Sequence, residues 1–329
     1  MRFLASPGAT APAFPAPARR WPSIARGAAR LLLRPVVEPH QQRRIFVVGC
    51  PRSGTTVVQA ALAARGNLLT LPETHFFRHL LGALEDWMTA DFDRCHRRWS
   101  SRLLCARARM HRELNGALDG VLKDRPLSHH WSGRGYAAEF FRRLDEEAAA
   151  RRHAGWLEKT PEHFAYIDMI GALCPDARFV HVMRAGEDVV ASAIDAEMRY
   201  ADRGAFGGGA AYWVRHWNRA METHLRCAGR PAHHVVCHED LVREPDAVLG
   251  RLLAFAGLDD EPRATRPGDI ADVARHPWMR GALSGEVQVA ERKFEALFGP
   301  TSRDWIRARL HDYGAMRAEI GERQRGAAH

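Results

Sequence analysis

An α/β fold, with a mainly parallel central sheet and helices on both faces, is what this 329-residue sequence predicts. Three observations lead there. Short apolar runs alternate with longer helical patterns, as parallel strands and their crossover helices do. Two of the strand-to-helix turns, at residues 51–56 and at Arg184, gather groups that bind anions. A hydrophobic content of 46% is enough to bury the core of one large domain.

The first strand is 45–49, an apolar run with two arginines before it and a Gly-containing loop after it. Residues 55–65 form a helix, and Gly66 follows where a left-handed C-cap belongs. From 76 to about 150 the pattern is helical and rich in Arg, Leu, Ala and Trp, with a break at 124–135. A short strand at 155–158 precedes a helix at 162–173, which Cys174 and Pro175 close. The third strand, 178–183, runs into a helix at about 187–198. The cluster 207–209 opens a long amphipathic helix, whose Trp213, Trp217, Met221 and Leu225 share one face and read as core. The fourth strand is 234–237, and the helix 245–256 has Pro at its start and Gly257 at its end. Ligands of such a sheet bind at the carboxyl ends of the strands. The organisation expected is a flexible Ala/Pro/Arg-rich basic leader at 1–43, one domain at 44–320 with a helical insertion at 76–150, and a tail at 321–329.

The net charge of +9 invites a nucleic-acid reading until the charge is located. Residues 1–44 hold eight arginines against one acid, Glu38; subtracting them from totals of 48 and 39 leaves 40 basic and 38 acidic residues. The body is nearly neutral, so no nucleic-acid partner is expected. The six cysteines contain no CxxC pair and no His/Cys spacing of zinc type, so reduced thiols are expected. No run of 18 apolar residues occurs, and the leader lacks the apolar core of a secretory signal. A soluble cytoplasmic protein is the expectation. Residues 19–34 also fit a basic amphipathic helix that touches a membrane surface, or a transit peptide, against the simpler reading of a disordered leader.

Pro51-Arg52-Ser53-Gly54-Thr55-Thr56 brings backbone N–H groups, a helix N-terminus, hydroxyls and a guanidinium to one place, which is an anion site. It is not a Walker A loop, because Gly54 stands where that motif needs lysine. The run IFVVGCPRSGTT resembles the 5′-phosphosulfate loop of sulfotransferases that use 3′-phosphoadenosine 5′-phosphosulfate (PAPS), in the branch that writes PRSGTT, similar to tyrosylprotein and bacterial sulfotransferases. The resemblance implies the P-loop-like fold of that family. It also implies that Arg52, Ser53, Gly54, Thr55 and Thr56 hold the 5′-phosphate, with Arg52 near the sulfonate.

A second turn, FVHVMRAGEDVVASAI, places Arg184 at a strand end and Ser192 in the next helix, and resembles the family's 3′-phosphate motif. Glu73, in LPETHFF, resembles the family's acidic general base. Lys159, in LEKTP, resembles the lysine that stabilises the leaving oxygen, in a chain whose lysines are Lys123, Lys159 and Lys293 alone. The segment VVCHEDLVREPDAVLGRLLAFAGL resembles the strand and helix that close the nucleotide pocket, with His238 where relatives write Tyr. Relatives fold a loop over the donor near 284–294, where Arg292 or Lys293 is the counterpart. The resemblance covers about 44–260.

It implies PAPS as co-substrate, no metal, and a hydroxyl or amine acceptor on a carbohydrate, lipid, natural product or peptide tyrosine, with 76–150 shaping the acceptor side. The rival readings are a P-loop kinase-like enzyme and a basic binding protein without catalysis.

Overall fold

The structure, a computed structural model, describes residues 34–82, 101–105, 108–118, 126–201, 207–261 and 293–327. Among these residues β1 (Arg43–Gly49), β2 (Leu68–Thr70), β3 (Gly155–Lys159), β4 (Arg178–Met183) and β5 (His233–Cys237) form one parallel sheet in the order β2-β3-β1-β4-β5. Four of the five strands are the predicted ones. The three-residue β2 was not foreseen, because a segment this short has no periodicity to read. It exists through its pairing with β3, where Leu69 stands opposite Trp156.

The sheet is buried on both faces, as parallel sheets are. Ile45 and Val47 of β1 face one layer, which holds α1 (Thr55–Arg65), α8 (His238–Arg243) and α9 (Pro245–Ala256). Phe46 and Val48 face the other. That second layer takes in α2 (Phe76–Leu81), α3 (Ala108–Leu118), α4 (Gly133–Ala150), α5 (Ile167–Leu173), α7 (Gly209–Cys227) and α12 (Tyr313–Gly326). Phe46 anchors it, stacked on Phe179 with ring centroids 5.6 Å apart and edge-on to Trp156 at 5.4 Å. α6 (Gly186–Arg199), α10 (Phe294–Leu297) and α11 (Pro300–Arg307) complete the described helices named here. Trp213, Trp217 and Met221 are buried, so the apolar stripe of α7 is core as expected.

Three boundaries differ from expectation. The helix expected at 162–173 is a 3-10 turn, Pro161–Tyr166, followed by α5; the tight turn carries His163 back toward β3. The domain reaches into the leader, since the Val36 N–H donates to the Leu173 carbonyl at 2.9 Å and Val37 packs on the core. The tail boundary at 321 falls inside α12, which covers the edge strand β5. There the Gln324 amide accepts from Val235 N–H at 2.5 Å and donates to Val235 C=O at 3.1 Å, taking the place of a neighbouring strand. Among the described residues no helix is long and apolar enough to cross a membrane. Cys50, Cys105, Cys174, Cys227 and Cys237 are free thiols.

Parallel pairing gathers the loops at one edge of the sheet. Because Val47 pairs with Lys159, Gly49 with Val182 and Met183 with Cys237, the chain leaves β1, β3, β4 and β5 on the same side. β1 lies between β3 and β4 at the point where the connections reverse direction, the place where open parallel sheets form their clefts.

Candidate active site

The loop from β1 to α1 is held by the Ser53 N–H, which donates to the Cys50 carbonyl at 3.1 Å. Two of its residues are left-handed, Arg52 at φ 74° and Gly54 at φ 95°. A non-glycine residue there is strained by about 1–3 kcal/mol, a cost concentrated at binding loops. No side chain caps α1 at Gly54. The first amides of the helix, with the buried Ser53 and Thr55 and the half-buried Thr56, thus line the positive end of the helix dipole, a place that favours an anion. His238, at the start of α8, closes it from above. A Cβ added at Gly54 would meet the His238 ring at 2.4 Å, so this position requires glycine for space as well as for φ. Gly54→Ala is expected to cost about 1–3 kcal/mol and to weaken nucleotide binding, checked by thermal melting and calorimetry.

The second turn arrives at the same place. Arg184 leaves β4 and its Nη1 reaches the Arg52 carbonyl at 3.5 Å, the outer limit of a hydrogen bond, while Nη2 faces Asp188 at 3.4 Å. Arg52 Nε donates to Ser192 Oγ on α6 at 3.1 Å. Burial first, and the neighbouring Arg184 second, push the Arg52 pKa below its ordinary value. Two adjacent cations with little water are stabilised by an anion between them. The turn is locked from behind: Trp217 Nε1 donates to the Arg184 carbonyl at 2.9 Å. The Ala185 N–H donates to Glu239, itself held by the Tyr313 hydroxyl. His238 is kept low in pKa by burial and then by Arg184.

Glu73 and Lys159 meet beside these arginines. The Lys159 ammonium, buried at the end of β3, donates to Glu73 Oε1. Glu73 is near enough to Arg52 to act on its charge. His75 Nε2 lies 3.5 Å from Glu73 Oε2, and burial, only partly opposed by Glu73, lowers the His75 pKa to about 4. His75 is therefore neutral at pH 7.

Beneath this pair is a network the sequence reading did not foresee. Glu158 is fully buried next to Lys159 and accepts from Thr74 Oγ1 at 2.8 Å, Thr160 Oγ1 at 2.5 Å and His163 Nδ1 at 2.9 Å. His163 Nε2 accepts from the Phe77 N–H at 3.3 Å, so its proton sits on Nδ1 and points at Glu158. Burial opposes the Glu158 charge, yet His163 beside it and the hydrogen bonds from His163, Thr160 and Thr74 hold the carboxyl down to about 2. The buried carboxylate ties the loop carrying Glu73 to the turn after Lys159. A glutamate inside a buried strand was the available signal.

All predicted site residues fall in the described chain, and the structure brings them close together: Arg52, Ser53, Gly54, Thr55, Thr56, Arg184 and Ser192 around the two turns, Glu73 and Lys159 alongside. Lys293 Nζ binds Asp195 on α6 at 2.6 Å, and that carboxylate also acts on Arg52. Arg292 and most of the loop 284–294 lie outside the described residues.

A parallel α/β sheet with a strand-to-helix loop closed by Gly54 at its switch point defines the class, a P-loop-like fold. A profile of the sulfotransferase family matches residues 44–262, and the chain belongs to that family. An uncharacterized protein of Aquifex aeolicus (strain VF5) is 24% identical over 238 residues, covering 68% of this chain and 26% of its own length, so the chain spans about a quarter of that relative. Among solved structures, the sulfotransferase domain from the curacin biosynthetic pathway matches with 16% identity and a TM-score of 0.45, over 88% of this chain and 99% of that one. The sulfotransferase domain from the Synechococcus PCC 7002 olefin synthase matches with 19% identity and a TM-score of 0.43, over 89% and 97%.

Proposed function

We propose that this chain is a PAPS-dependent sulfotransferase that transfers sulfonate to an acceptor hydroxyl by in-line displacement. The observation that carries the reading is the convergence of Arg52 and Arg184 on one cleft, with the Glu73–Lys159 pair at its side. A donor with phosphates at both ends of one adenosine suits two cationic turns. The loop 52–56 takes the 5′-phosphate, Arg184 and Ser192 take the 3′-phosphate, and the sulfonate extends toward Glu73.

In this mechanism Glu73 accepts the acceptor's proton as its oxygen attacks sulfur. The bond from sulfur to the bridging phosphate oxygen breaks, and 3′,5′-ADP leaves. Lys159 moves from Glu73 to the bridging oxygen and offsets the charge that builds there. That exchange frees the carboxylate when the donor arrives, so base and electrophile become competent together. The acceptor class is a hydroxyl on a carbohydrate, lipid, natural product or peptide tyrosine, with an amine as the variant chemistry.

The test is calorimetry with 3′,5′-ADP, followed by incubation of labelled PAPS with host extract to find the labelled acceptor. One equivalent of 3′,5′-ADP is expected to bind. Arg184→Ala is expected to weaken that binding tenfold to a hundredfold, since a charge-assisted contact is worth about 1.5–3 kcal/mol. Equal affinity in the variant removes Arg184 from the donor site, and failure of the wild-type protein to bind the nucleotide removes the reading itself.

A further inference from the structure

Away from the cleft, three metal-binding side chains meet between the sheet and α7. His181 comes from β4, Cys227 from the last residue of α7 and His233 from the first residue of β5. Their ligand atoms lie within 4.8 Å of one another. His181 and Cys227 are fully buried, His233 partly. His181 Nε2 stands 3.0 Å from His233 Nδ1, and His181 Nδ1 stands 2.9 Å from Nδ1 of the buried His224 on α7.

We propose that His181 Nε2, His233 Nδ1 and Cys227 Sγ form a binding site for a zinc-class divalent ion, with water in the fourth position. Two imidazoles and a thiolate are the donor set of a borderline-soft cation. Tetrahedral zinc places such donors about 3.3–3.8 Å apart, which small side-chain shifts achieve from the present spacing. The ion replaces the proton shared by His181 and His233. That proton moves to His181 Nδ1 and is donated to His224 Nδ1, while the proton that His224 carried there moves to its own Nε2, so His224 orients the ligand ring as outer partners of metal-bound histidines do. The Cys227 thiol gives its proton to solvent. Arg226 and Arg230 bear electrostatically on both Cys227 and His233, and Asp168, paired with Arg226 at 2.9 Å, acts on the same two groups with the opposite sign.

The three ligands belong to three elements, so the ion ties the end of α7 to β4 and β5. His181 lies about 10 Å up the strand from Arg184 at ordinary strand rise, which sets the ion apart from the turn at Arg184. In sequence the ligands are scattered, and no zinc-type spacing marks them.

The full-length protein, stripped of metal with a chelator, is titrated with Co²⁺ and then with Zn²⁺. One equivalent of Co²⁺ is expected to produce a thiolate-to-cobalt charge-transfer band with tetrahedral d–d absorption, which Zn²⁺ then bleaches. Cys227→Ser removes the band, and His224→Ala weakens Zn²⁺ binding tenfold to a hundredfold. His233→Gln, at a partly exposed position, weakens it at least tenfold while 3′,5′-ADP affinity stays within twofold. A wild-type titration without a thiolate band, or a band that survives in Cys227→Ser, overturns the assignment. The wild-type spectrum decides even if a variant fails to fold.

Discussion

Glu73→Gln is expected to lower the rate of sulfonate transfer by about 10²- to 10⁴-fold, the usual contribution of a positioned general base. Affinity for 3′,5′-ADP is expected to remain within about twofold, because the proposed donor site assigns the phosphates to the turns at Arg52 and Arg184. Glutamine is the right replacement. Lys159 is buried against Glu73, and an apolar substitute would leave its ammonium without an acceptor, mixing a folding defect into the kinetics. The amide oxygen keeps the contact and removes the basicity. Transfer assays with labelled PAPS, paired with calorimetry on 3′,5′-ADP, separate the two effects. Turnover unchanged by the substitution would take Glu73 out of the mechanism.

Glu158→Ala is expected to destabilise the protein by about 3–5 kcal/mol, the range for removing one member of a buried charged network. Three side-chain donors, from Thr74, Thr160 and His163, then lose a common acceptor in a fully buried place. Denaturant midpoints measure the loss, and a change below about 1 kcal/mol would show that the network relaxes around the gap. Activity falls as well, because Glu158 joins the loop of Glu73 to the turn after Lys159.

The same residue sets an acid dependence. Its folded-state pKa of about 2 lies below the ordinary 4.5, so its contribution is complete above about pH 4.5 and is lost as pH falls through about 2. That contribution is roughly 3 kcal/mol. Glu158→Gln is expected to flatten the stability profile over this window while keeping part of the hydrogen bonding. An unchanged slope in urea titrations across that window argues against the assignment.

Much of the cleft was legible before any fold was known, and the reason is locality. PRSGTT and the segment from Arg184 to Ser192 are each a strand end, a turn and a helix start, so one short stretch carries every group needed to bind an anion. Glu73, in the loop between β2 and α2, and Lys159, at the end of β3, could be singled out one at a time by their resemblance to family residues. That they bond to each other was not legible, because they pair only when β3 and the chain leaving β2 lie side by side. The strand β2 was missed for the same reason, its structure coming from its neighbour and not from its own three residues.

By itself the sequence determined the α/β class, the two strand-to-helix turns and the family, since periodicity and contiguous motifs are properties of a chain read in order. Only the tertiary structure decided that His238 closes over Gly54, that Glu158 ties two loops together, and that His181, Cys227 and His233 share one buried spot. Those contacts depend on strand order, register and the packing of α7 on the sheet. They arise from burial energies summed over the whole core, which no local stretch of residues encodes alone.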